Sequence, residues 1–261
     1  MTDSKSPPVL ACRQAGEKDG PALVLLHGFG GSGHHFDPLL EELTARFRVL
    51  LPDLPGHGDS VAVSGSRHAR AGAQAVLATM DALGCDRFHL AGFSLGGAVS
   101  CLVAAQAPDR VLSLTLLAPG GFGPRIAAET LRAFGAARTS EAVRSGLAAM
   151  MAPGAAVAEE DVAQVVSERQ DERRVADLVA VAAQITRDGR QGVLPPSLLE
   201  DIACPVRVVW GTADPVLPVP QRDTLPARFD LRLAEGAGHL LVREAREAVL
   251  DALCAPVSGD P

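Results

Sequence analysis

The sequence predicts a doubly wound α/β fold, a mostly parallel sheet flanked by helices, with a helical segment inserted late in the chain. Three observations point there. Short apolar runs alternate with longer Ala- and Leu-rich stretches, the rhythm of strand and crossover helix around a parallel sheet. That rhythm breaks over residues 121–198, where no strand-like run occurs and Ala, Val, Glu and Arg recur at helical spacing. The 261 residues, 47% hydrophobic and 21% charged, suffice for one large core and lie near the globular average.

In chain order, strands are expected at 22–27 (ALVLLH), 47–52 (FRVLLP), 87–92 (RFHLAG), 111–118 (VLSLTLLA), 205–210 (PVRVVW) and 229–234 (FDLRLA), preceded by one at about 8–14. Helices are expected near 36–45, 68–83, 95–106 and 241–253, each between or after strands as right-handed crossovers require. The core then comprises 1–120 and 199–261, and 121–198 forms a helical cap. The cap is rich in Ala and Val and poor in aromatics, which predicts an apolar pocket for a small or medium acyl group.

Charge and composition remove several function classes. A formal net charge of -7 offers no clustered Lys and Arg to neutralise phosphates, so no nucleic-acid partner is expected. The amino terminus lacks an apolar segment of signal-peptide length, and no run of roughly 18 apolar residues occurs. No membrane span and a cytoplasmic location are expected. Cys12, Cys85, Cys101, Cys204 and Cys254 are odd in number and scattered without C-x-x-C pairs, arguing against a disulfide framework or a thiolate metal site.

The chemistry is concentrated in Gly92-Phe93-Ser94-Leu95-Gly96, a G-x-S-x-G sequence directly after one expected strand and directly before an Ala-rich helix. A serine on so tight a turn is forced into a strained backbone, and its flanks must be small where side chains would collide. The turn also places Ser94 at a helix amino terminus, where N–H groups favour negative charge developing on a substrate oxygen, the Leu95 N–H being one donor. A hydroxyl is a poor nucleophile at neutral pH, so a base must take its proton and a third group must orient that base. Only His239, of seven histidines, follows Ser94, in the loop Gly236-Ala237-Gly238-His239. Asp214, in GTADP at 211–215, directly follows an expected core strand, with Asp223 its nearest competitor. The second oxyanion donor is expected from His27-Gly28-Phe29-Gly30-Gly31, at the Phe29 N–H.

At these residues the chain resembles the α/β-hydrolase family. LHGFGGSG at 26–33, DLPGHGDS at 53–60, GFSLGG at 92–97, GTADPVLP at 211–218 and GAGH at 236–239 occur in order across about residues 20–255. The resemblance implies the α/β-hydrolase fold and a two-step acyl transfer through Ser94, His239 and Asp214 that needs neither cofactor nor metal. The implied partner is a small-molecule acyl substrate. Relatives that use Asp as nucleophile, the haloalkane dehalogenases and epoxide hydrolases, are disfavoured by Ser94. Carbon–carbon hydrolases of ring-cleavage products often carry Asn before the nucleophile and Trp after the histidine, where this chain has Phe93 and Leu240, so an esterase leads and a cofactor-free perhydrolase stands beside it. SLTLLAPGGFGP at 113–124 is also similar to the hydrolase-like domain of some acetoin dehydrogenase acyltransferase subunits. No lipoyl domain accompanies it in these 261 residues, so a transacylase is not implied.

Three other readings compete. Gly28 to Gly33 (GFGGSG) satisfies G-x-G-x-x-G with Asp53 twenty residues beyond, mimicking a dinucleotide fingerprint. That reading leaves Ser94, Asp214 and His239 unexplained. A non-catalytic small-molecule receptor on the same fold is disfavoured by the complete set of three. His34 and His35 read as solvated loop residues, His57 and Asp59 as loop-structuring ones, and ERQDERR at 168–174 as an exposed cap-helix face.

Overall fold

The computed structural model describes residues 7–61 and 68–255, so the ends of the expected core, 1–6 and 256–261, lie outside the described residues. Strand β1 (Cys12–Ala15) leads into β2 (Ala22–Leu26), a 3-10 stretch Gly33–Leu39, helix α1 (Leu40–Thr44) and β3 (Arg48–Pro52). Helix α2 (Ala69–Ala82), β4 (Phe88–Phe93), α3 (Leu95–Gln106) and β5 (Val111–Leu117) follow. Between β5 and the next strand lie α4 (Ala128–Ala136), α5 (Ser140–Ala148), α6 (Glu159–Glu168), α7 (Glu172–Ile185) and α8 (Pro196–Glu200). The chain closes with β6 (Val206–Gly211), β7 (Asp230–Ala234), α9 (Leu241–Glu244) and α10 (Arg246–Cys254).

The sheet order is β1-β3-β2-β4-β5-β6-β7, with only the β1–β3 pair antiparallel. Helix α3 packs against β4 and β5 and α2 packs on α3, while α10 packs on β5 and β6, and α9 and α1 pack on the Gly33–Leu39 stretch. Burial follows from this layering. All six residues of β4 (FHLAGF) are buried, the continuous apolar run of a parallel strand covered on both faces. The edge strand β7 instead alternates, presenting Asp230 and Arg232 to solvent, which blunts it against pairing with another chain. Trp210, in β6, is fully buried, its indole N–H donating to the Leu217 carbonyl at 3.0 Å. Cys85 and Cys101 are buried packing residues whose thiols are held above their ordinary pKa by burial.

The elements fall within a residue or two of expectation, with three differences. The first strand begins at Cys12 rather than near residue 8. The expected helix 36–45 is a 3-10 stretch started by Ser32, whose hydroxyl accepts from the His34 N–H, and only then the short α1. The expected helix 241–253 is broken at Ala245, at φ -144, into α9 and α10. No helix among the described residues is long and apolar enough to cross a membrane.

The chain winds from β2 outward to β3 and then returns across β2 to β4. In an open α/β sheet that reversal leaves a crevice at the carboxyl ends of the strands. The loops leaving β2, β4, β6 and β7 carry Phe29, Ser94, Asp214 and His239 to this edge.

Candidate active site

Ser94 joins β4 to α3 at φ 52 and ψ -114, a conformation that costs an L-residue of order 1–3 kcal/mol and must be over-determined by its surroundings. Its N–H donates to the Leu117 carbonyl at 2.9 Å, and its own carbonyl accepts from Gly97 and Gly120, each at 2.9 Å. A Cβ at Gly92 would collide with the Gly96 carbonyl and the Ser100 hydroxyl, and one at Gly96 with the carbonyls of Leu26 and His27. Both flanks therefore have to be glycine for the turn to close.

Three side chains from distant loops meet in series. His239 Nε2 lies 3.0 Å from Ser94 Oγ, and His239 Nδ1 lies 2.8 Å from Asp214 Oδ2. The other carboxylate oxygen of Asp214 accepts from the N–H groups of Val216 and Leu217, each at 2.8 Å. The Asp214 side chain is fully buried and that of His239 is 3% exposed, so water does not screen the pair. With Asp214 ionised, His239 carries its proton on Nδ1 and turns a basic Nε2 toward the hydroxyl. Such a series is able to take a proton from the serine as its oxygen attacks a carbon. Asp223 is exposed on the surface beside Arg222 and takes no part.

The loop after β2 is held by buried imidazoles. His27 Nδ1 donates to the Gly28 carbonyl at 2.8 Å, and its Nε2 accepts the Leu54 N–H at 3.0 Å. His57, whose ring centroid is 5.1 Å from that of His27, donates from Nδ1 to the Pro55 carbonyl at 3.2 Å. Burial pushes the His27 pKa down to about 4 and, with His27 beside it, that of His57 down to about 3. Asp53 accepts from the N–H groups of Gly33 and Asp59, each at 2.9 Å, so this carboxylate ties two loops together rather than facing a ribose. Among the described residues no protein acceptor takes the N–H of Phe29 or of Leu95, and both residues line a cavity at Ser94.

Two cavities reach Ser94. A small one of about 90 Å³ is lined by Phe93, His239, Leu147 and Met150 and by the Asp161–Arg243 ion pair. A wider one of about 740 Å³ passes Phe29 and Leu95 toward Ile126, Leu194 and the turn at 187–190. Leucines, Ile126 and Met150 line these cavities together with charged residues, Asp161, Glu168 and Arg243 in the smaller and Arg70, Arg187, Asp188 and Arg190 in the wider.

Several residues escaped the sequence reading. Glu244 holds the His239 loop: its carboxylate accepts from Gly238 at 3.0 Å, Leu240 at 3.0 Å and Ala152 at 2.7 Å, while the His239 N–H donates to the Met150 carbonyl at 2.9 Å. No motif marks it. Arg169, expected on an exposed face, is 2% exposed; its guanidinium donates to the carbonyls of Phe134, Ala137 and Gly30 and lies 4.3 Å over the Phe134 ring. Burial lowers its pKa to about 10. The spacing Val162, Val165, Val166, Arg169 continues one helical stripe and was the available signal. His34 is exposed and paired with Asp37, but His35, also expected in solvent, is half-buried and stacks on Phe93 at a centroid distance of 4.5 Å.

This fold, with its serine turn at the sheet edge, defines a class, and the sequence comparison agrees. The profile of the alpha/beta hydrolase family matches residues 23–252, and the chain belongs to that family. It is similar to the dihydrolipoyllysine-residue acetyltransferase component of the acetoin cleaving system of Pseudomonas putida, 35% identical over 236 residues, covering 90% of this chain and 63% of the relative. The chain thus spans less than two thirds of that relative's length. It is also similar to the 2-hydroxy-6-oxo-6-phenylhexa-2,4-dienoate hydrolase of Burkholderia cepacia, 38% identical over 109 residues, 40% of this chain and 38% of that one. Among solved structures, a membrane phospholipase A described as a bacterial virulence factor superposes with TM-score 0.75 at 28% identity, covering 95% of this chain and 84% of that one.

Proposed function

We propose that the protein is a serine hydrolase that cleaves an ester or similar acyl bond of a small to medium, largely apolar substrate. Ser94 Oγ attacks the carbonyl carbon while His239 Nε2 takes its proton. The N–H groups of Phe29 and Leu95 receive the developing oxyanion, each such donor contributing about 3 kcal/mol to the transition state. On collapse, Nε2 returns the proton to the leaving oxygen; water, deprotonated by the same nitrogen, then attacks the acyl-enzyme, and that proton passes to Ser94 Oγ as the acid departs. Residues 121–198 cap the crevice, and the described residues of 1–120 and 199–261 form the core beneath it. The single observation that carries this reading is the unbroken hydrogen-bonded series from Asp214 through His239 to Ser94. Carbon–carbon bond hydrolysis is the second reading, favoured by the match to the Burkholderia cepacia hydrolase.

The test is covalent capture. A fluorophosphonate probe should form one Ser94 Oγ–P bond with loss of fluoride, seen as the mass of one phosphonyl group per chain, and Ser94→Ala should gain none. Equal labelling of the variant, or none in the folded wild type, refutes the assignment. Labelling without ester turnover points instead to a receptor.

Glu244 enters the same reading as a positioning residue. Glu244→Gln leaves one backbone N–H of the histidine loop facing an NH₂ group, and a displacement of the imidazole by about 1 Å is worth roughly 10²-fold in rate. A kcat lowered by about 10- to 100-fold with KM within about twofold is expected in steady-state ester hydrolysis. A raised KM at unchanged kcat would show that Glu244 shapes substrate binding instead.

A further inference from the structure

The lining of the wider cavity at Ser94 is of two kinds. Leu131 and Leu217 are buried and Ile126 and Leu194 half-buried, whereas Arg70, at the start of α2, and Arg187 and Arg190, after α7, are exposed and form its solvent rim. The protein is acidic, at net -7, and its surface arginines commonly hold carboxylates, as in Arg110–Asp81, Arg174–Asp59 and Arg232–Asp251. Among the described residues the three rim guanidiniums hold none, and only Asp188 shares the rim with them.

The segment bearing two of them is fixed at both ends. The Arg190 N–H closes the turn on the Arg187 carbonyl at 3.0 Å. Before it, Arg132 donates to the hydroxyl and the carbonyl of Thr186, at 2.8 and 2.6 Å. After it, the Gln191 side chain accepts the Gly121 N–H and donates to the Arg125 carbonyl, both at 3.0 Å. The backbone is thus pinned to the crevice while the exposed guanidiniums hold no carboxylate, so the ordering cost of gripping an anion falls on the side chains alone.

We propose that the substrate is amphipathic: its apolar portion lies against the walls beside Ser94, and a carboxylate or phosphate at its far end is held by Arg70, Arg187 and Arg190. This rests on the reading of Ser94 as the nucleophile. Arginine suits either anion through its planar fork of donors.

The test compares p-nitrophenyl hexanoate with the mono-p-nitrophenyl ester of hexanedioic acid and with p-nitrophenyl 6-(phosphonooxy)hexanoate. A charge-assisted contact of about 1.5–3 kcal/mol corresponds to roughly tenfold or more, so kcat/KM should favour at least one anionic ester over the neutral one by that factor. The better of the two identifies the anion. The advantage should shrink as salt rises from about 0.01 M to about 1 M, because the rim is exposed and the screening length falls from roughly 30 Å to roughly 3 Å. In Arg187→Gln/Arg190→Gln and in Arg70→Gln the ratio of anionic to neutral kcat/KM should fall about tenfold. A neutral ester preferred or equal, or a ratio unmoved by the substitutions, overturns the proposal. Calorimetry of the same three esters with Ser94→Ala separates the two readings. Tighter binding of an anionic ester there supports the rim site even if wild type turns none over, and equal binding sinks it even if all are hydrolysed.

Discussion

Ser94→Ala is expected to lower kcat for a p-nitrophenyl ester by about 10⁶, and Asp214→Asn by about 10⁴, in enzyme whose circular dichroism and melting temperature stay near wild type. The two losses have different physical origins. Alanine removes the attacking oxygen. Asparagine keeps the shape of the carboxylate and still accepts from Val216 and Leu217, but the group it turns toward His239 Nδ1 is now a donor. The imidazole answers by moving its proton to Nε2, the nitrogen 3.0 Å from Ser94, where it can no longer accept one. Because the residues act as one unit, the double variant should be no slower than Ser94→Ala alone. Asp214→Asn retaining more than about a tenth of wild-type kcat would remove Asp214 from the mechanism.

The second large effect concerns stability. His27 and His57 are 0% and 1% exposed, with folded-state pKa values of about 4 and about 3 against an unfolded value near 6.5. A histidine whose pKa is depressed on folding stabilises the protein fully above the unfolded value. That contribution is lost as pH falls from about 6.5 toward the folded values, because the unfolded chain takes up the protons first. By pH 4 each has forfeited roughly 3 kcal/mol, and together they amount to a large part of a typical domain's 5–15 kcal/mol. Urea unfolding across this range measures it. His57→Phe removes one of the two protons, so the slope of unfolding free energy against pH between about 6 and 4.5 should be shallower by about 1.4 kcal/mol per pH unit. Parallel curves for variant and wild type would place the acid sensitivity elsewhere.

What the sequence disclosed and what it withheld divide along physical lines. Buried parallel strands are continuous apolar runs, so β4, β5 and β6 were legible to within a residue, and the G-x-S-x-G turn followed because its strain demands glycines at fixed spacing. Chain order singles out His239, while Asp214 is set apart from Asp223 only by its place directly after an expected core strand. The contacts that hold the partners of Ser94 were not legible. Glu244 joins backbone groups on either side of His239 to Ala152, 92 residues earlier, and nothing local marks such a pairing. Arg169 sits in a run of charges that suggests solvent, although the valine stripe before it sets the buried face of α6. His35 was misplaced for a related reason: aromatic stacking on Phe93 depends on a residue 58 positions away. Local physics is written locally, and the site's supports are long-range.

The tie between the His239 loop and the stretch from Met150 to Ala152 bears on redesign. Transplanting the inserted helices from a relative, an obvious route to new selectivity, would also import half of the seat in which the imidazole rests. A graft that carries its own 150–152 backbone but keeps the recipient's 238–244 strand-to-helix passage would bind new molecules with a misaligned base. Recombination therefore has to exchange the two stretches together, and breakpoints that separate them should yield folded but sluggish hybrids.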